Sequence, residues 1–382
     1  MQLISRFLLR SEIISLKRKK AVTMRSPQKP ANGFSNPPWI TAFQIVCAVV
    51  LTLKLVKRIT SLLVILNSKN SVSTSVSPFA AIRKTGMKRA QLFFMILACA
   101  IACKSEPVFD GNRAMAFLVA QCDFGPRTPG SEGHRLCREY LIAEITKHAD
   151  EVTTQAFMYT YGSPSQVATG YNIIGRFQPG KRDRLLLCAH WDTRPWADED
   201  PDPANHQKPV LGANDGASGV AVLLHLAELF AQNPPRPGID IVFFDAEDAG
   251  SHNQNQTWAL GSAAFAREYA YSYNPRYAIL VDMIGDNNLN IYQEGYSVRY
   301  ARPVVNKLWD KAAELGISAF IPEVSYVVYD DHVPLLQAGI QAADIIDFDY
   351  KYWHTIQDTP DKCSPASLEA VGRVVAAVVY ED

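Results

Sequence analysis

The run Arg184-Leu-Leu-Leu-Cys-Ala-His constrains the fold of this 382-residue chain more than any other feature. Its apolar residues are nearly continuous, whereas a strand with one wet face alternates. Such a strand is covered on both faces, which points to a parallel sheet between layers of helices. Ile239-Asp-Ile-Val-Phe-Phe-Asp, Tyr277-Ala-Ile-Leu-Val-Asp-Met and Ala342-Ala-Asp-Ile-Ile-Asp read as further strands, as do Val152 to Tyr159 and Tyr171 to Phe177. Helical spacing marks Asn112 to His148, broken by a loop from Phe124 and resumed from Glu132 to Thr146. It returns at Gly219 to Phe230, Gly261 to Glu268, Ala301 to Leu315 and Ser364 to Tyr380. A long loop rich in Trp, Asp, Pro and Asn separates Trp191 from Val210. Strands alternating with helices predict a single α/β/α sandwich with a central mixed, mainly parallel sheet.

The first hundred residues do not fit that pattern. Residues 1–86 are rich in Ser, Lys and Arg, and their apolar run from Ile40 to Val56 is interrupted by Lys54. They read as an upstream extension, disordered or not native. From Met87 the chain runs MKRAQLFFMILACAIACKSE: two cations, an apolar core, then small residues and cysteine. That order is an export signal with a small-residue cleavage site, and ending at a cysteine it resembles a lipoprotein signal. Segment 87–103 is therefore expected to direct export, with Cys103 or Cys99 as the acylated residue. Residues 104–112 read as a linker, and 113–382 as the catalytic domain. The expected location is the periplasm, free or membrane-anchored, of a Gram-negative-type bacterium.

Lys+Arg and Asp+Glu balance at 38 each, so no global charge draws the chain to nucleic acid or to a membrane surface. Membrane attachment is expected only through the lipid anchor or signal. The seven cysteines are scattered without a CxxC pair, which argues against a disulfide scaffold or a cysteine-ligated zinc.

In open α/β sheets the site forms beyond the carboxyl ends of the strands. Here those ends carry Ala189-His190-Trp191-Asp192-Thr193, Asp245-Ala-Glu247-Asp248 and Val281-Asp282-Met-Ile-Gly285. A helix opens with Gly212-Ala-Asn-Asp215-Gly-Ala-Ser-Gly219, and Asp330-Asp331-His332 and Tyr352-Trp353-His354-Thr355 come late. Singly each has a structural explanation: Asp215 could cap its helix, and a lone histidine is often a satisfied buried group. Together, several carboxylates beside apolar sequence repel one another unless a cation sits among them. Oxygen and imidazole donors on a rigid sheet suit zinc.

The series AHWDT, GANDGASG, FFDAED, VDMIG, DDHVPLLQAGI and YWHT resembles the zinc-dependent aminopeptidase family, and more closely its glutaminyl cyclases. The resemblance covers about Arg113 to Asp382 and implies the zinc aminopeptidase-like α/β fold. It implies that Asp215, Asp248 and His354 hold zinc, that Glu247 is general base and acid, and that Asp282 and Asp330 are its hydrogen-bonded partners. It places Trp353 in the pocket, together with Trp258 and His332 as candidate substrate contacts. Two departures stand out. Asp248 replaces a glutamate of the animal enzymes, so that strand end must sit closer to the metal. The tryptophan that follows the acid pair in the animal enzymes is not aromatic here, and Trp258 is the nearest replacement.

The resemblance leaves two enzymes open. A two-zinc aminopeptidase would use His190, Asp215, Glu247, Asp248, Asp282 and His354, all of which are present. A cyclase needs one zinc, a proton shuttle and a closed aromatic pocket, and acts on peptides or proteins with N-terminal glutamine. The pair Asp330-Asp331 and the placing of Trp353 before His354 tilt the reading to the cyclase, working as a monomer. A non-catalytic surface scaffold is the third class; a lost ligand would mark it, and none is lost.

Overall fold

The computed structural model describes residues 108–382 apart from 163–164 and 270–271. The upstream extension, the signal-like segment 87–103 and residues 104–107 of the expected linker lie outside the described residues. The central sheet has six strands: β1 (Glu151–Tyr161), β2 (Gln166–Phe177), β3 (Arg184–His190), β4 (Gly238–Phe244), β5 (Ala278–Asp282) and β8 (Ala342–Ile346). Their order is β1-β2-β4-β3-β5-β8. The β1–β2 hairpin and the β2–β4 pair are antiparallel; β4, β3, β5 and β8 run parallel. The sheet is therefore mixed and mainly parallel, as the sequence predicts.

The continuous apolar run of β3 is explained by its two faces. Leu185, Leu187 and Ala189 enter the larger core, while Leu186 and Cys188 point to the opposite one. On the first face lie α1 (Gly111–Cys122), α2 (Glu132–Thr146), α3 (Ala217–Gln232), α6 (Arg302–Glu314) and α8 (Pro365–Glu381), with α8 packed on α1, α3 and α6. On the second lie α4 (Leu260–Tyr269), whose Phe265 joins that core, and α7 (His332–Gln337) through Leu335. No helix among the described residues is long and apolar enough to cross a membrane.

Three expectations need correction. The fold begins before residue 113: Phe109 is buried against Gly372, and the Asp110 side chain caps α1 by accepting from the Asn112 and Arg113 amides. Asp215 does not cap α3; Gly216 stands there at φ 85° with no side-chain cap. A parallel pair, β6 (Ile291–Glu294) with β7 (Phe320–Tyr326), and the short helices α5 (Gly295–Tyr300) and α7 were not expected from the sequence. Residues 322–325 of β7 are exposed, so the strand carries no inward–outward alternation to detect.

Candidate metal centre and active site

Strands β3, β4 and β5 end side by side, with His190 paired to Phe244 and Cys188 to Leu280, so their terminal residues share one edge. From that edge Glu247, Asp248 and Asp282, with Asp215 before α3, line a cavity of about 150 Å³. The late segments complete it with Val328, Tyr329, Asp330, Ile346, Phe348, Trp353 and His354, and Trp258 closes another side. Gly216 makes the approach possible: a Cβ there would meet His190 Cε1 at 2.8 Å. Gly250 similarly lies under the Trp258 indole, whose Cδ2 would be 2.2 Å from an added Cβ.

Backbone strain concentrates at the same place. Ala246, Met283 and His354 have φ of 59°, 46° and 52°, each a side chain in the left-handed region. They are the residue before Glu247, the residue after Asp282 and a candidate ligand. Strain of this kind persists where surrounding structure enforces a functional geometry.

Ligand atoms of Asp215, Asp248 and His354 lie within 4.8 Å of one another. His354 Nε2 is 3.0 Å from Asp248 Oδ1 and 3.7 Å from Asp215 Oδ2. Both oxygens of Asp248 are buried without a hydrogen-bond partner, as are the Nδ1 atoms of His354 and His190. Burial and the charge of Asp215 push the Asp248 carboxyl well above its usual range. Burial, with the nearby Arg194 cation, holds the His354 imidazole neutral. Two buried acids, Asp248 among them without a hydrogen-bond partner, and a neutral imidazole fit a divalent cation, and the donor set suits zinc.

A second group overlaps the first. His190 Nε2 lies 3.1 Å from Oδ1 of both Asp215 and Asp282. Burial works against its protonation, but Asp282, Asp192 and Asp215 outweigh it and raise its pKa well above the usual value. Glu247 has its carboxyl pushed far up by burial and by the charge of Asp330. Asp330 itself is pushed up to about 7 by burial and by Asp282.

Eight of the sequence-predicted residues (Asp215, Glu247, Asp248, Trp258, Asp282, Asp330, Trp353 and His354) therefore meet in one cavity. His190 stands behind it. His332 is corrected: it is fully buried, does not line the cavity, and places Nε2 3.0 Å from Glu294 Oε2 with Nδ1 3.6 Å from Asp344. It packs behind Asp330 and cannot touch a substrate in that cavity.

Sequence reasoning missed the residues that hold the site in place. Asp192 accepts the amides of Glu247 and Asp248 at 3.1 and 3.2 Å. Asp358 accepts the amides of Asn214 and Asp215 and the Tyr350 hydroxyl, at 2.8, 3.1 and 2.7 Å. The buried Arg127 donates to the carbonyls of Trp191, Leu211 and Gly212. The available signal was a pair of arginines, Arg127 and Arg194, in loops that otherwise carry turn residues.

The model of "Peptidase family M28" matches residues 172–379. Among solved structures, a glutaminyl cyclase of Bacteroides thetaiotaomicron bound to N-acetylhistamine is 39% identical, with a TM-score of 0.70 over 73% of this chain and 100% of that one. A leucine aminopeptidase precursor of the same species is also 39% identical, with a TM-score of 0.71 over 73% and 99%. The glutaminyl-peptide cyclotransferase of Bos taurus is 22% identical over 67% of this chain and 78% of its own. These likenesses carry both enzyme names at equal identity, so they do not divide cyclase from aminopeptidase. With more than half the chain matched by one family model and solved relatives covered almost end to end, the chain belongs to peptidase family M28, on the zinc-dependent exopeptidase fold.

Proposed function

We propose that the chain is a glutaminyl-peptide cyclotransferase, converting N-terminal glutamine of peptides or proteins to pyroglutamate with release of ammonia. The observation that carries this reading is the cavity itself. It is small, and beside its acids it is walled by Val328, Ile346, Phe348, Trp353 and Trp258. A single side chain fits such a space better than an extended peptide, and apolar walls exclude the water that would hydrolyse the substrate.

Asp215, Asp248 and His354 would hold one zinc ion. Bound there, zinc supplies a Lewis acid for the oxygen of the γ-carboxamide. The aromatic walls seat the methylenes of the glutamine side chain and bring its carboxamide toward Glu247. The substrate's own α-amine nitrogen then forms a bond to the carboxamide carbon. Glu247 takes the proton that this nitrogen sheds and returns it to the departing nitrogen, which leaves as ammonia. Burial and the charge of Asp330 raise the Glu247 carboxyl above its usual range, so its ionised form is a stronger base than an exposed glutamate. Asp282, held by His190, and Asp330 line the same cavity and would orient that carboxyl.

One observation favours a second reading. The group His190, Asp215 and Asp282 could take another cation, and a two-zinc aminopeptidase would then direct water at the peptide carbonyl. Incubating purified protein with glutamine-headed peptides and with aminopeptidase substrates separates the two. The cyclase releases ammonia and leaves the peptide bonds intact; free amino acid without ammonia would sink the proposal. Metal analysis should give about one zinc per chain, whereas two tightly held ions would favour the aminopeptidase.

Export and a lipid anchor belong to the same proposal. Expressed from Met87, the protein should be acylated and membrane-associated, and Cys103→Ser should release it. Equal membrane binding by that variant and by Cys99→Ser would discard the anchor.

A further inference from the structure

The loop from Trp191 to Val210 contacts the candidate zinc ligands Asp248 and His354 without lining the cavity. Arg194 is fully buried there, and its guanidinium lies between two indoles, 5.0 Å from the Trp196 ring and 4.7 Å from the Trp258 ring. Nη1 donates to the carbonyls of Asp248 and Gly250, each at 3.0 Å. Nε and Nη2 donate to the two carboxylate oxygens of Asp198 at 2.7 and 2.6 Å. Asp198 in turn faces His354, its Oδ1 lying 3.6 Å from Nδ1. The Glu199 amide donates to the His354 carbonyl at 3.2 Å, which ties the same loop to the same ligand.

We infer that Arg194 and Asp198 form one positioning unit that sets two of the three zinc ligands, Asp248 through its backbone and His354 through its ring. The chemistry of the parts supports it. A guanidinium is a rigid fork, so grasping two carbonyls and a carboxylate fixes the 248–250 turn relative to Asp198 in a way a flexible ammonium does not. The turn has a particular need for this. Asp248 reaches one methylene less far than a glutamate, so small backbone shifts at that strand end translate directly into ligand distance. Outer partners that orient metal ligands typically change metal affinity by tenfold to a hundredfold when lost.

The inference rests on Asp248 being a zinc ligand, which Asp248→Ala tests separately. That variant should lose zinc, and undiminished affinity there would discard the ligand assignment itself. The test of Arg194 is zinc affinity, measured by competition with a chromogenic chelator on the full chain. Arg194→Met, which keeps the length of the side chain without its donors, should weaken zinc by about tenfold to a hundredfold. Asp248→Glu, with its longer reach, should recover a large part of that loss in the double variant, and change affinity far less on its own. A merely structural arginine would show no such rescue. Should Arg194→Met not fold, Asp198→Asn releases the other half of the unit while leaving a polar group at a part-exposed position. It should weaken zinc several-fold. The idea is overturned if the foldable variant binds zinc as tightly as the parent, or if Asp248→Glu restores nothing to a weakened Arg194→Met.

Discussion

The cavity has a floor and a wall built on different principles. The floor, Asp215, Glu247, Asp248 and Asp282, stands at or just beyond the ends of β4 and β5 and ahead of α3; the ladder places Asp282, and Asp192 holds the Glu247 and Asp248 amides where the ladder has stopped. The wall, Val328 to Asp330 and Phe348 to His354, comes from irregular segments that no ladder holds. Side chains grip the backbone there: Asp200 accepts the Ile356 amide at 3.1 Å, and Asp358, just past the wall, ties that segment to Asn214 and Asp215 of the floor. The difference teaches that a metal ligand on a loop can be as fixed as one on a strand, provided buried polar groups replace the ladder.

That claim can be broken where floor and wall meet. His354 is the ligand the wall contributes, and His354→Ala should lower zinc affinity by more than about a hundredfold and abolish activity with it. Metal analysis after dialysis checks this. Zinc retained at full stoichiometry would make the wall a cover and the floor the whole metal site.

The staples come next. Asp358→Ala removes the acceptor of two amides and the Tyr350 hydroxyl, all buried. The metal-free variant should lose about 3 kcal/mol of unfolding free energy, because buried donors left unpaired are costly. Denaturant titration measures it, and a change below about 0.5 kcal/mol, the level of an ordinary surface substitution, would show that the wall is held by something else.

The floor and the staples also differ in how they were legible. Asp215, Glu247, Asp248 and Asp282 announce themselves because buried apolar strands end in acids, a pattern written in neighbouring residues. Asp358 acts on positions 143 and 144 residues earlier, and nothing beside it in the chain marks that contact. Arg127, Arg194 and Asp198 are hidden for the same reason. The opposite error occurred at His332, whose place after Asp330-Asp331 suggested a substrate contact while its ring is spent on Glu294. The six-stranded sheet and its longer helices were readable from periodicity, whereas β6, α5, β7 and α7 are short or exposed and left no period to read.

The smallest expected effect concerns the wall's apolar surface. Trp353 packs on His354 with ring centroids 3.7 Å apart and on Phe348 at 5.3 Å. Trp353→Ala should raise KM for a glutamine-headed peptide roughly tenfold, with a smaller change in kcat and zinc content retained. A large fall in kcat at unchanged KM would move Trp353 from seating the substrate to shaping the reacting geometry.

The central claim is that two adjacent residues on the floor divide the labour, Asp248 holding the metal and Glu247 moving the proton. The most direct measurement is kcat and zinc content together in Glu247→Gln, which keeps the shape and removes the basic oxygen. Turnover should fall by roughly a hundredfold to ten-thousandfold, the usual worth of a general acid–base group, with zinc bound as in the parent. Loss of the zinc, or retention of most of the turnover, would contradict the division and return both acids to a single role.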